Sequence, residues 1–225
     1  MADASALKCT VTDKPLIDAW HEWLSSARSI TYRDQEVIYG QQTVGTHVYL
    51  VAQGYVKLSR CTASGDVFTI ALLGPGNLFG RVAATGTSDQ GEVACASGTT
   101  VVLRCTCRQF EKGLEAGTGL AQLTTANLAA RLYELGRRLE YTLYRELRGR
   151  VAAVLRDLVG LHGGICRHGH MLDVRLTQQE LAELIGASRP AVSAELNELR
   201  RAGVIDYTRA FICVINIDAL ERLAE

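Results

Sequence analysis

The chain has 225 residues, 48% hydrophobic and 21% charged, with 24 basic residues balancing 24 acidic ones. No apolar run approaches the roughly 20 residues a membrane-spanning helix needs, and Met1 to Lys14 lacks the basic start and apolar core of a secretory signal. Seven cysteines in no framework spacing complete the expectation of a cytoplasmic protein with no membrane partner, long enough for two ordinary domains.

Pro15 to Ala27 reads as a short amphipathic helix, with Leu16, Ala19, Trp20, Trp23 and Leu24 on one face. From Arg28 to about Leu103 the period changes to short β-branched and aromatic runs: SITYR, EVIY, THVYLVA, GYVKLSR, VFTIALL, EVACA and TTVVLR. Frequent glycines between them predict an all-β barrel or roll. Cys105 and Cys107 fall on one face of a predicted strand, a pair suited to burial, a soft metal or redox chemistry.

Gly119 to Leu147 is a long helical stretch in which Leu128, Leu132, Leu135 and Leu139 are spaced four, three and four. Such steps form one seam, the pattern of a helix that pairs with another helix. A stripe packed on the chain's own roll is the other reading. The length of the seam and the charged outer face of Arg131, Glu134, Arg137, Arg138 and Glu140 favour a dimer helix partly packed on the roll. Glu146 to Gly149 is a predicted hinge, followed by a helix over Arg148 to Leu161, a glycine-rich loop over Gly163 to Gly169 and a short strand over Met171 to Leu176. The domain division expected is 1–117, 118–146 and 147–225.

Thr177 to Leu199 reads TQQELAELIGASRPAVSAELNEL, a helix-turn-helix in which every local choice has a mechanical reason. Thr177 and Glu180 make a capping box, Gly186 takes the turn, Ser188 caps the second helix and Pro190 sits in its first turn. Val192, Leu196 and Leu199 bury the inner face. Arg189, Ala191, Ser193, Ala194 and Asn197 point outward, and a short anchored helix of this kind suits a major groove. Gly203–Tyr207 and Phe211–Ile215 form a hairpin, read as a wing. Against this stands the charge: from Glu146 onward there are ten arginines, no lysine and eleven acidic residues, so the arginines must be gathered on one face.

With these motifs in place, the chain resembles the catabolite-activator/FNR (CRP/FNR) family of bacterial transcription regulators. The resemblance rests on HVYLVAQGYVKLSR (47–60), LLGPGNLFG (72–80), ELRGRVAAVLRDL (146–158) and, most specifically, LTQQELAELIGASRPAVSAELNELRRAGVI (176–205). It implies an α+β architecture: an N-terminal β-roll (a cyclic-nucleotide-binding-like jelly roll), a long dimerisation helix and a C-terminal winged helix-turn-helix. It also implies a homodimer on a palindromic double-stranded operator, acting with RNA polymerase and not as an enzyme. Thr177, Gln179 and Ser188 would contact phosphates, while Arg189 and the face through Pro190, Ala191 and Ser193 would read bases, arginine being bidentate to guanine. Gln178, Asn197 and the wing's Arg209 complete the expected DNA contacts. Pro190 stands where many members carry glutamate and Ala194 where many carry a second reading arginine, so a different operator is expected.

The effector-pocket candidates are Gly80, Arg81, Val82, Glu92, Val93 and Leu135. Where cyclic-AMP-type members have a Gly-Glu pair this chain has Gly80-Arg81, and QGEVACA (90–96) offers no arginine for a phosphate. Cyclic AMP in the usual pose is therefore not expected; Arg81 is expected to meet an anionic ligand or Glu92 in a closed pocket. Cys9 stands alone, against an iron–sulfur cluster, and His47 and Cys95 lie in the roll as candidates for haem. Cys166, His168 and His170 offer three potential metal ligands without a fourth. The effector stays open between an unidentified molecule, a redox, metal or haem signal, and none at all; a cupin-like metalloenzyme is the distant alternative.

Overall fold

The computed structural model describes residues 27–82, 91–116, 118–166, 169–172, 174–208 and 211–225. Apart from Ala27, the predicted helix over Pro15–Ala27 falls outside them, as does the wing residue Arg209. The chain forms two compact units that divide between Leu132 and Tyr133.

The first unit is an antiparallel roll built on two long strands, β3 (His47–Cys61) and β6 (Val93–Thr106). They pair from His47↔Thr106 to Ser59↔Val93. Beside them lie β1 (Arg28–Tyr32) and β2 (Val37–Tyr39) on β6, and β4 (Val67–Leu73) and β5 (Leu78–Gly80) on β3. Several runs that read as separate strands are fused. The glycine at 54 does not reverse the chain; it takes φ +77° with its Cα against Thr99 O, where a Cβ would come within 2.5 Å, and bulges one continuous strand. The core of the roll is a stack of Tyr39, Tyr49 and Phe79, with ring centroids 5.0–6.1 Å apart, among Val51, Val56, Leu58, Ala71, Leu73 and Val102.

The strand expected to run through both Cys105 and Cys107 ends at Thr106, and helix α1 (Cys107–Ala116) begins there. Thr106 and Gln109 cap it reciprocally: Gln109 N donates to Thr106 Oγ1 (3.2 Å) and Thr106 N to Gln109 Oε1 (2.9 Å). The two thiols therefore lie on different elements. Cys105 is buried, and burial together with Cys107 pushes its pKa up to about 11.

Helix α2 (Thr118–Tyr144) spans the division between units. The second unit continues with α3 (Leu147–His162), β7 (Gly163–Cys166), β8 (Gly169–Leu172), α4 (Gln178–Ile185), α5 (Arg189–Arg201), β9 (Ile205–Tyr207), β10 (Ile212–Val214) and α6 (Ile217–Ala224). Its sheet has the order β7-β8-β10-β9. The glycine-rich stretch after α3 is thus a hairpin and not a loop, because its backbone pairs Gly163↔Leu172 through Cys166↔Gly169. Val151, Leu155, Leu181, Leu196, Leu199, Ile205 and Leu220 form the buried interior under α4 and α5.

Candidate nucleic-acid interface

Local chemistry sets the two helices as their sequence implies. Glu180 N donates to Thr177 Oγ1 (3.1 Å), Thr177 N donates back to Glu180 Oε2 (2.9 Å), and α4 ends at Gly186 with φ +72°. Ser188 Oγ accepts from Ala191 N (3.4 Å), opening α5 with Pro190 in its first turn. Val192, Leu196 and Leu199 are buried, while Ser188, Arg189, Pro190, Ala194 and Asn197 are exposed and Ala191 and Ser193 half-buried. The start of α4, the start of α5 and the wing converge on a cleft of about 620 Å³. Thr177, Gln178, Gln179, Arg189, Tyr207 and Thr208 form its rim, over Leu181, Leu196 and Ile212. Arginine and amide donors around a groove between two helix starts and a β-ribbon suit a sugar–phosphate strand.

Two residues of the expected wing hairpin that were not among the expected DNA contacts join this site, Tyr207 and Thr208. Tyr207 Oη donates to Asn197 Oδ1 (2.9 Å), and Asn197 Nδ2 donates to Ser193 O (2.9 Å). Arg200 Nε meets Asp206 Oδ1 at 2.9 Å, with its guanidinium 5.3 Å from the Tyr207 ring centroid. Only the three-dimensional meeting of helix and strand reveals this set.

In the roll, Gly80 has φ +82°, and a Cβ there would come within 2.8 Å of His47 O and of the Tyr49 ring. Arg81 N donates to His47 O (3.1 Å) and Arg81 Nη1 to Gly45 O (3.4 Å). The expected closed-pocket partnership of Arg81 with Glu92 is replaced by another. Glu92 takes Tyr39 Oη on one oxygen (2.9 Å) and Arg131 Nη2 on the other (3.4 Å), with the two charged side chains only 14% and 21% exposed. Burial, then the Glu92 carboxylate, push the Tyr39 phenol far above its ordinary range, so it keeps its proton and donates. Arg131, placed by helical periodicity on the outer face of the long helix, is turned inward because Glu92 supplies its counter-charge. Val82 packs on the cluster of Val48, Leu50 and Phe110, and Val93 opens β6 opposite Ser59.

His47 Nδ1 lies 2.8 Å from Thr46 Oγ1, and burial lowers its pKa. Of the metal trio, only His170 has a described side chain, on β8 opposite Val214; the Cys166 side chain and the whole of His168 fall outside the described set. Among the described residues no group of three or more His, Cys, Asp and Glu is placed to hold a metal ion.

On α2, the face carrying Leu120, Thr124, Asn127 and Tyr141 is buried, Asn127 bonding Leu78 N and Gly76 O. The leucine seam lies about 100° round from it, one residue on. Leu132 is 71% exposed, Leu139 60%, Leu128 and Leu135 also exposed, and Leu143 and Tyr144 extend the row. Leu128 and Leu132, the part of the seam within the first unit, are therefore not a stripe against the roll. Leu135, counted among the pocket candidates, belongs to this row. Arg137, expected outside, instead pairs with Asp157 (2.7 Å), because Asp157 on α3 supplies a buried-side counter-charge.

Residues 29–116 match the family model of the cyclic nucleotide-binding domain, and residues 149–223 that of the Crp-like helix-turn-helix domain. The chain is 33% identical to the cyclic AMP receptor protein of Thermus thermophilus over 86% of this chain and 86% of that one. It is 29% identical to the global nitrogen regulator of Synechocystis sp., covering 85% and 86%. A solved structure of a CooA mutant from Carboxydothermus hydrogenoformans has the same fold, with a TM-score of 0.78 at 20% identity over 95% of this chain and 97% of that chain.

Proposed function

The chain belongs to the CRP/FNR family of bacterial transcription regulators, and from that premise we propose that it acts in the cytoplasm as a homodimer placing one α5 helix on each half of a two-fold symmetric operator. It is a DNA-binding transcription regulator and not an enzyme, and regulators of this family bind DNA and act as dimers. The observation that carries the finer reading is the exposed Arg189 opening α5 at the edge of a cleft rimmed by Thr177, Gln178, Gln179 and Thr208. Arg189 is the base reader, α4's capped start and Ser188 hold phosphates, and the exposed leucine row joins two copies. RNA polymerase is the expected further partner.

The T. thermophilus relative is named for cyclic AMP, but the residues here do not fit that nucleotide in its usual pose: Arg81 follows Gly80, and Arg131 is committed to Glu92. We take the effector, where there is one, to be another molecule. The Tyr39–Glu92–Arg131 set favours a second reading, a pocket closed by its own side chains and an operator affinity independent of ligand. The test selects bound duplexes from a random pool, then compares Arg189→Ala with the parent on the selected site and a scrambled one, before and after exhaustive dialysis. Arg189→Ala is expected to lose roughly 1–3 kcal/mol of discrimination per half-site; undiminished discrimination refutes its role.

A further inference from the structure

We infer that Asn197 and Tyr207 form a clasp that positions the α5 helix against the wing, so that Asn197 is a positioning residue for DNA readout and not a reader of bases. The inference rests on the DNA-binding reading above and concerns the same surface. Asn197 lies on one line of α5 with exposed Arg189 and half-buried Ser193, which is why sequence spacing placed it among the DNA contacts. Its side chain is engaged at both ends within the protein, Oδ1 accepting from Tyr207 Oη and Nδ2 donating to Ser193 O, each at 2.9 Å. It also lies eight residues beyond Arg189, about 12 Å along the axis, so the reading end and the clasped end of α5 are separate.

A second fastening one turn on repeats the connection. Arg200 bonds Asp206, the strand residue before Tyr207, and stacks on the Tyr207 ring, while Asp206 Oδ1 also accepts Tyr207 N (2.9 Å). The next residue, Thr208, turns the wing: Thr208 N donates to Phe211 O (2.8 Å) and Phe211 N to Thr208 Oγ1 (3.2 Å). Arg189, Tyr207 and Thr208 line one cleft. The clasp thus delivers the reading arginine and the wing to the duplex as one preordered body, sparing the ordering of a loose hairpin on binding.

The test uses the full chain and its selected operator. Asn197→Ala, Tyr207→Phe and the double variant are compared for affinity to that operator, to every single-base-pair substitution in one half-site, and to unrelated duplex. Each single change is expected to weaken operator binding about three- to tenfold, the size of one lost hydrogen bond. The double should be no weaker than the worse single, with base preference unaltered at every position. Relaxed preference at one base pair in Asn197→Ala but not in Tyr207→Phe, or losses that multiply, overturns the clasp. A parent that does not distinguish its operator sinks the DNA reading itself. The clasp is then judged on free protein: faster amide exchange along β9 in both variants supports it, and unchanged exchange overturns it.

Discussion

Asp157 offers the sharpest test of how the second unit is held together. Its carboxylate accepts four hydrogen bonds: from Arg137 Nη2 (2.7 Å), Tyr141 Oη (3.0 Å), and Arg156 Nη2 and Nε (3.1 and 3.2 Å). Tyr141 in turn accepts from Arg156 Nη2 (2.8 Å), and its phenol, pushed upward first by burial and then by Asp157, stays protonated. Charge-assisted bonds are worth about 1.5–3 kcal/mol each, but Asp157 is 20% and Arg137 33% exposed, so water replaces much of what is lost. Asp157→Ala should cost about 2–3 kcal/mol and Tyr141→Phe about 1 kcal/mol. Because the two share Arg156, the double variant should fall short of the sum by at least about 0.5 kcal/mol. Amide exchange along 133–144 and α3, with urea titration by circular dichroism, reads the right region. Additive losses, or exchange unchanged in those helices, would refute the argument.

Three further outcomes follow from the packing. Cys105 has its folded pKa raised to about 11 from 9.0, so its contribution is intact below about pH 9 and fades as pH rises through 11. The parent should lose up to roughly 2–3 kcal/mol more across that interval than Cys105→Ala, measured as unfolding midpoints against pH; parallel curves count against the burial argument. Gly186→Ala meets open space and should cost only about 1 kcal/mol for its positive φ, whereas Gly54→Ala drives a Cβ to 2.5 Å from Thr99 O and should cost several times more in thermal melts. Equal costs would contradict the strand bulge. Leu135→Glu, in the exposed leucine row, should yield monomers by sedimentation velocity, and an unaltered dimer would move the pairing surface elsewhere.

Where rules act over four residues, the sequence was a sufficient guide. The capping box of Thr177 and Glu180, the turn at Gly186 and the cap at Ser188 stand as their spacing implies. Fusion of the roll strands was illegible because a glycine in a β run marks a bulge as readily as a turn, and pairing across the sheet decides. Helix α1 was missed although Thr106 and Gln109 have capping-box spacing, since Cys-Thr-Cys alternation imitates a strand. Asn216, whose Oδ1 accepts from Ala219 N, marked the start of α6 in the same way. Arg131 looked like a solvated charge, and only a partner 39 residues away reveals otherwise. The Asn197–Tyr207 contact joins residues ten apart on different elements and left no periodic trace.

The crowding at Gly80 has a corollary for the residue that follows it. The backbone there is dictated by His47 and Tyr49, whichever side chain comes next, and the amide of residue 81 is already spoken for by His47 O. The chain course through residue 81 is therefore set before its side chain is chosen, and Arg81 adds a tie of its own from Nη1 to Gly45 O.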